Sequence, residues 1–526
     1  MTLQTFLAAC AALFVSGLSS AAPVTLADGQ VQGQIIDSIE SFKGLPYAAA
    51  PVGELRWAAP QAVRPWPGLR SATSFAPACM QGGEPWPPGA PAEAQSEDCL
   101  YLNVWRPAGA GADSAGGKLP VMVWIHGGGW TDGSGSAPLY DGTRLARRDV
   151  IVVSFNYRLG AFGFLAHPAL TEASGTGSSG NYGLLDQIAA LRWVQRNIAA
   201  LGGDASRVTV FGQSAGSMSV QLLTVSPLAR GLFQRAIGES GAVFIPPEIA
   251  PSGAEFGLRG AELQGQRFAA ALGASRDNPL ADMRLRPAAA VVKAQQKFAF
   301  HFIVDGQVLA EEPHASYSAG RQAKVPMLMG WNANEGAGFI AGKTITAANF
   351  RQTLQDAFGQ LPEPLLANYP AKTDAQAQAA RAALERDLRF GYETWKWAQL
   401  QAASAGAEVY AYRFAHQPPY PADSALAGWG AGHGMEMRYV FDQLGQEPWA
   451  WTPADQRLAD TMAAYWSNFA KRGDPNGAGL PVWPAYTLAK PLTMQFGAEI
   501  KAGQSDDTVA LPSFDALFEA VRKQRP

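Results

Sequence analysis

The β-branched run Arg207-Val208-Thr209-Val210-Phe211 ends in Gly212-Gln213-Ser214-Ala215-Gly216, and the residues beyond it, SAGSMSVQLLTV, read as a helix. A strand that turns this abruptly into a helix holds its central residue in a strained backbone conformation, where bulky neighbours would clash. Glycine at 212 and 216 answers that steric demand. The turn also sets Ser214 at a helix N-terminus, where amide N–H groups favour developing negative charge. With 56 Gly in 526 residues, about 0.3 such strings arise by chance. The flanking strand and helix are therefore what give this one weight.

The same alternation runs through the chain. Residues 120–126 (PVMVWIH) and 150–157 (VIVVSFNY) are apolar, β-branched runs of the kind that lie in a parallel sheet covered on both faces. Residues 183–201 place Leu184, Ile188, Leu191, Val194 and Ile198 near helical spacing, and Gly202-Gly203 closes that helix. Further strands are expected at 233–238, 325–330 and 408–414, and a late helix at about 454–471. This is the pattern of an α/β protein with a large, mostly parallel central sheet flanked by helices. Length alone suggests three or four domains at roughly 150 residues each. The stretches 242–320 and 345–405 have no linker-like composition, however, and read as helical insertions over one sheet.

His126-Gly127-Gly128-Gly129-Trp130 follows the strand at 120–126. Three successive glycines leave backbone amides uncovered, so they can approach an oxyanion closely. The N–H groups of Gly128 and Gly129, with that of Ala215, are the expected donors. A serine hydroxyl needs a base. Of six histidines, four follow Ser214: His301, His314, His416 and His433. His433 lies in the glycine-rich loop Gly430-Ala431-Gly432-His433-Gly434, which can carry an imidazole over the sheet edge. His416 follows the same strand more closely, so the residues favour His433 and leave His416 open. Glu335, in Trp331-Asn332-Ala333-Asn334-Glu335-Gly336 after the strand at 325–330, can hold the imidazole tautomer. The order nucleophile, acid, base is that of an α/β-hydrolase.

The first 22 residues read as a secretory leader. Leu7 to Leu18 is apolar and too short to span a bilayer, and Ser19-Ser20-Ala21-Ala22 follows, although no Lys or Arg precedes the run. Leu7-Ala8-Ala9-Cys10 also resembles a lipobox, behind a run too short for that signal. An exported protein, periplasmic or secreted, is expected, with residues 23–526 as one domain and no stable membrane anchor. Cys79 and Cys99 remain as a pair around a Pro/Gly-rich loop, and a disulfide there would contribute about 3 kcal/mol. A formal charge of −3 gives no electrostatic footprint for nucleic acid. No His/Asp cluster suggests a metal, and none of the chemistry so far requires a cofactor.

Several separate strings now carry a resemblance. They are FKGLPYAAAPVGELRW at 42–57, EDCLYLNVW at 97–105, HGGGW at 126–130, NYGLLDQIAALRWVQRNIAALGGD at 181–204, and VTVFGQSAGSMSV at 208–220. GWNANEGAGF at 330–339 and GAGHGMEMRYVF at 430–441 complete the set. In this order, from about residue 24 to 471, they resemble the type-B carboxylesterases. The resemblance implies a single large α/β-hydrolase domain and a small-molecule ester as substrate. It implies Ser214, Glu335 and His433 as triad, with Gly128, Gly129 and Ala215 as oxyanion donors, and it settles the choice of His433. The Cys79–Cys99 bridge matches the family's first disulfide loop.

The resemblance further implies an Arg56–Glu97 ion pair, bracing of the helix before the elbow by Asp186 and Arg192, and Ser240 close to the catalytic histidine. Glu239 replaces a more typical glutamine. Gln213 replaces the glutamate often found in cholinesterases, which weakens the case for a cationic choline substrate. Trp86, inside the disulfide loop, reads as packing. Trp395, Trp397, Trp429 and Trp449 suit either an apolar pocket or the core. An amidase, a thioesterase or a lipase could run on the same triad, and a silent binding protein on the same scaffold would lack one of its members.

Overall fold

The computed structural model describes residues 19–83, 93–111, 117–246, 256–404 and 406–524. The apolar run of the leader and Trp86 lie outside the described residues. Twelve strands form the main sheet: β1 (Ser19–Ser20), β2 (Gln34–Ile36), β3 (Ile39–Pro46), β4 (Tyr101–Pro107), β5 (Leu119–Ile125), β6 (Ile151–Phe155), β7 (Gly203–Gln213), β8 (Arg235–Glu239), β9 (Met327–Asn332), β10 (Val409–Phe414), β11 (Thr493–Phe496) and β12 (Ile500–Gly503). Their spatial order is 1-2-3-4-6-5-7-8-9-10-11-12. Neighbours from β6 through β11 pair in parallel, and the flanking pairs are antiparallel. The one inversion, β6 before β5, puts the crevice beyond the carboxyl ends of the strands, where open α/β sheets bind their ligands.

Side-chain alternation explains why these segments are strands. Val121, Val123 and Ile125 enter the core on one face of the sheet, while Met122 and Trp124 enter the core on the other. Each such fully buried side chain contributes about 1.5–3 kcal/mol. Two helices bracket the site on the chain. Helix α1 (Tyr182–Asn197) carries Leu184, Ile188, Leu191 and Val194 inward, and after a 3-10 turn the chain reverses at Gly202, φ 80°. Helix α2 (Ala215–Val225) starts immediately after Ser214. The two inserted stretches are helical. The first, between β8 and β9, includes α3 (Leu258–Ala271). The second, between β9 and β10, includes α4 (Asp374–Arg386) and α5 (Tyr392–Ala402), separated by a π-turn at Asp387–Gly391.

The long helix α6 (Pro453–Arg472) covers the opposite face. Thr452 and Asp455 form a reciprocal capping box at its start, and Gly473, φ 81°, ends it. Among the described residues no helix is long and apolar enough to cross a membrane.

One expected brace differs. Asp186 pairs with Arg158, accepting from Nε and Nη2 at 2.8 Å each, both side chains buried. Arg192 instead reaches the Leu228 carbonyl, at 3.4 Å. Asp186 points inward from α1, where a planar guanidinium can meet both its oxygens, whereas Arg192 is on the solvent side of the same helix. Cys79 and Cys99 are joined by a disulfide. Arg56 meets Glu97 beside it, Nε to Oε2 at 2.6 Å. At the other end of the described chain, Ser19–Ser20 pair with β2 and Ala21 is buried.

Candidate active site

The turn after β7 holds Ser214 at φ 56°, ψ −125°. Packing makes both glycines of the elbow obligatory. A Cβ on Gly216 would lie 2.0 Å from the Ile125 carbonyl oxygen, and one on Gly212 would lie 2.6 Å from the Gly216 carbonyl carbon. The Ser214 N–H donates to the Glu239 carbonyl at 2.8 Å, so the elbow is tied across to β8. Ser214 itself is part-exposed at the end of the sheet.

Beside it runs the glycine loop after β5. A Cβ on Gly127 would meet the Gln213 carbonyl at 2.7 Å, and one on Gly128, φ 99°, would meet the Asp132 carbonyl at 2.1 Å. Among the described residues no hydrogen bond engages the N–H groups of Gly128, Gly129 or Ala215. Trp130 anchors the loop, its Nε1 donating to Ser219 Oγ on α2 at 2.9 Å. His126 is not exposed chemistry. It is buried, stacked on Tyr157 at 4.4 Å, and its Nδ1 meets the Gly127 carbonyl at 2.9 Å. A carbonyl only accepts, so Nδ1 carries the hydrogen, and burial pushes this imidazole down to about 4.

Glu335 sits in the turn after β9, fully buried. Its Oε1 accepts from the Asn332 N–H at 2.7 Å, and its Oε2 meets His433 Nδ1 at 2.5 Å. With Nδ1–H donating to a carboxylate, Nε2 is left as an acceptor. The side-chain amide of Gln213 lies 3.2 Å from that Nε2 and can donate to it. No hydrogen bond joins Ser214 Oγ to His433 among the described residues. In unliganded sites such contacts are often long and tighten around substrate.

His416, the other candidate base, is occupied elsewhere, its Nε2 2.7 Å from Asp455 Oδ1 at the start of α6. Ser240 donates its N–H to the Gly330 carbonyl, and its Oγ has no hydrogen-bond partner among the described residues. Trp397 is core, with Nε1 on the Tyr317 hydroxyl at 2.7 Å.

Two aromatic rings bear on the imidazole that sequence reasoning did not find. Phe390 stacks on His433 at 4.3 Å, and Phe339 meets it edge-on at 6.0 Å. Phe390 belongs to the π-turn between α4 and α5, and a one-residue widening of a helix leaves no mark in hydrophobic periodicity. Phe339 was within reach, since it ends the string GWNANEGAGF.

A family model, the carboxylesterase family, matches residues 20–511. The chain belongs to the carboxylesterase family. As a carboxylesterase it is 38% identical over 495 residues to fumonisin B1 esterase of Sphingopyxis macrogoltabida, covering 90% of this chain and 86% of that protein. It is 36% identical over 491 residues to para-nitrobenzyl esterase of Bacillus subtilis (strain 168), covering 91% and 95%. A solved structure of PNB esterase superposes with a TM-score of 0.78 at 34% identity, over 94% of this chain and 99% of that one. The fold is thus the α/β-hydrolase fold, and the carboxylesterase is a carboxylic ester hydrolase.

Proposed function

We propose that this carboxylesterase cleaves small-molecule esters through an acyl-enzyme on Ser214, with His433 as base, Glu335 as acid and the amides of Gly128, Gly129 and Ala215 as oxyanion donors. His433 Nε2 takes the hydroxyl proton as Ser214 Oγ attacks the ester carbonyl carbon. The carbonyl π pair moves onto oxygen, and the three N–H groups receive that charge. Each donor of this kind stabilises the transition state by roughly 2.7–4 kcal/mol. Collapse expels the alkoxide, which takes the proton from His433. Water then attacks the acyl-enzyme with His433 again as base, releasing the acid and restoring Ser214. Glu335 stays ionised throughout and stabilises the imidazolium.

The observation that carries this reading is the contact between His433 Nδ1 and Glu335 Oε2, which makes Nε2 the acceptor nitrogen, the one that must exchange the Gln213 amide for the Ser214 proton. The uncommitted amides on both sides of Ser214 support it. Export goes with it, since the leader-like run precedes the domain and a disulfide is favoured outside the cytoplasm.

The test is hydrolysis of p-nitrophenyl esters across acyl chain lengths by the wild type and by Ser214→Ala. Turnover of short acyl chains by the wild type is expected, with a drop of roughly 10⁴-fold or more in kcat for the variant. Unchanged turnover in Ser214→Ala would remove Ser214 as nucleophile.

A further inference from the structure

Next to the Glu335–His433 pair the core holds two more carboxyls that catalysis does not use. Glu239, at the end of β8, and Glu436, three residues beyond His433, are both fully buried. Glu239 Oε1 accepts from Trp466 Nε1 at 2.8 Å, and its Oε2 has no partner among the described residues. Glu436 Oε2 accepts from the Asn332 side-chain amide, and its Oε1 has no partner among the described residues. Glu239 pairs with Gly330 on β9, two residues before Asn332, and Tyr412 pairs with Gly330 from the other side; the buried Tyr412 hydroxyl has no partner either among the described residues. Asn332 links Glu436 to the triad, since its side chain holds that carboxylate and the Gly432 carbonyl while its N–H holds Glu335.

The charged and titratable groups around the two carboxyls are Glu335, His433, Tyr412, Tyr140 and Tyr420. The nearby buried Arg438 is engaged by Glu447, Nε to Oε1 at 2.8 Å. Neither glutamate therefore has a Lys or Arg partner in an ion pair among the described residues. Two ionised carboxylates buried this way with no cation repel each other, and a proton on one of them removes that repulsion. The groups are unequal. Glu436 has the Asn332 amide and lies nearer His433, which favours keeping its charge. Glu239 has only the indole N–H, which serves a carboxylic acid's carbonyl oxygen equally well.

We propose that Glu239 and Glu436 hold one proton between them, carried on Glu239, so that a single negative charge on Glu436 anchors Asn332 and positions the Glu335–His433 pair. Glu436 is a positioning residue, acting through Asn332 on the triad, and Glu239 is neutral so that this charge stays single. This rests on the reading of Glu335 and His433 given above. Burial, with the charge of the other carboxyl, favours the neutral acid at both positions, the more so at Glu239.

Glu239→Gln is the discriminating variant, because a glutamine keeps the shape and the neutrality of a protonated glutamate. Its carbonyl can accept from Trp466 as the glutamate does. The first readout is the acid limb of the kcat/KM–pH profile on a p-nitrophenyl ester. The limb in Glu239→Gln is expected within a factor of two of the wild-type apparent ionisation constant. Glu436→Gln, which removes the charge itself, is expected to move it to lower pH by roughly tenfold in that constant. A tenfold shift in Glu239→Gln would mean that Glu239 is ionised, and an unmoved limb in Glu436→Gln would mean that the charge is not there. Either result overturns the proposal.

The second readout needs no turnover. Infrared spectra of protein labelled with carboxyl-13C glutamate should show a protonated-acid carbonyl band at neutral pH that is lost in Glu239→Gln. If that variant does not fold, the band is read in Glu393→Gln, which removes another buried glutamate whose proton is held up. Its absence there overturns the proposal. Should the Ser214 test fail instead, the infrared band still reports on the proton, so the two failures are distinguishable.

Discussion

Gly216 shows how far a single missing Cβ can decide the site. The atom it would add lies 2.0 Å from the Ile125 carbonyl, which is backbone and cannot rotate away. Gly216→Ala must push α2 off β5 or unwind the elbow, with a loss of about 1–3 kcal/mol in stability and more than 100-fold in kcat. Gly257, before α3, is the control. A Cβ there meets nothing within 4 Å, and Gly257→Ala is expected to melt and turn over like the wild type. Thermal unfolding and ester turnover of the pair check this. If Gly216→Ala matches Gly257→Ala, close approach is not why glycine is there. At this scale the sequence was most legible where chemistry and sterics coincide, as at Ser214 with its two glycines. It was least legible where a residue's role depends on a distant partner. His416 looked like a candidate base because its partner, Asp455, lies 39 residues further on.

Among the elements, the central strands were readable because burial on both faces demands continuous β-branched runs, and β5, β6, β7, β9 and β10 fall close to where those runs lie. The strands at the two ends of the sheet were not, since β1, β2 and β12 are short and at least partly exposed and lack such a run. Helix α6 was placed within a residue or two, yet its capping box was not foreseen, and the box makes a prediction at this scale. Thr452 Oγ1 accepts from the Asp455 N–H, and Asp455 Oδ2 accepts from the Thr452 N–H at 2.9 Å. Thr452→Ala should cost about 1 kcal/mol. Asp455→Asn should cost more, because Asp455 also holds His416 and the Tyr439 hydroxyl. Burial raises the Asp455 carboxyl, but the bonds from Thr452, His416 and Tyr439 outweigh it, and the net shift is downward. A lowered acid in the folded state means that the unfolded chain binds the proton more tightly. Its contribution is then present above the unfolded value of 3.8 and is lost as pH falls through the lower folded value. Urea unfolding from pH 6 to pH 3 should show an acid-side loss in wild type that is smaller in Asp455→Asn. Parallel curves would mean that Asp455 contributes no such linkage.

For the molecule as a whole, the disulfide and the oxyanion loop are mechanically one unit, although His126 lies 27 positions after Cys99 in the chain. Gln81, two residues past Cys79, accepts from the Gly133 N–H at 2.8 Å and donates to the Gly133 carbonyl at 3.1 Å. Gly83 passes so close that a Cβ there would lie 2.9 Å from an Asp132 carboxylate oxygen. Gly133 in turn backs His126, whose Nδ1 would be 2.5 Å from a Cβ at 133. The loop closed by Cys79 and Cys99 thus supports the turn that carries Gly128 and Gly129. Removing the bridge should act twice. Cys79→Ala/Cys99→Ala loses the loop-closure term, about 3 kcal/mol for this loop length. It also frees Gln81, so the oxyanion donors hold their aim less well, and such donors matter only once the oxygen carries charge. Lower kcat with little change in KM is therefore expected in the double variant. Gln81→Ala separates the two effects, since it should lower kcat while the bridge keeps most of the stability. A Gln81→Ala enzyme with wild-type kcat would confine the disulfide's role to holding the fold.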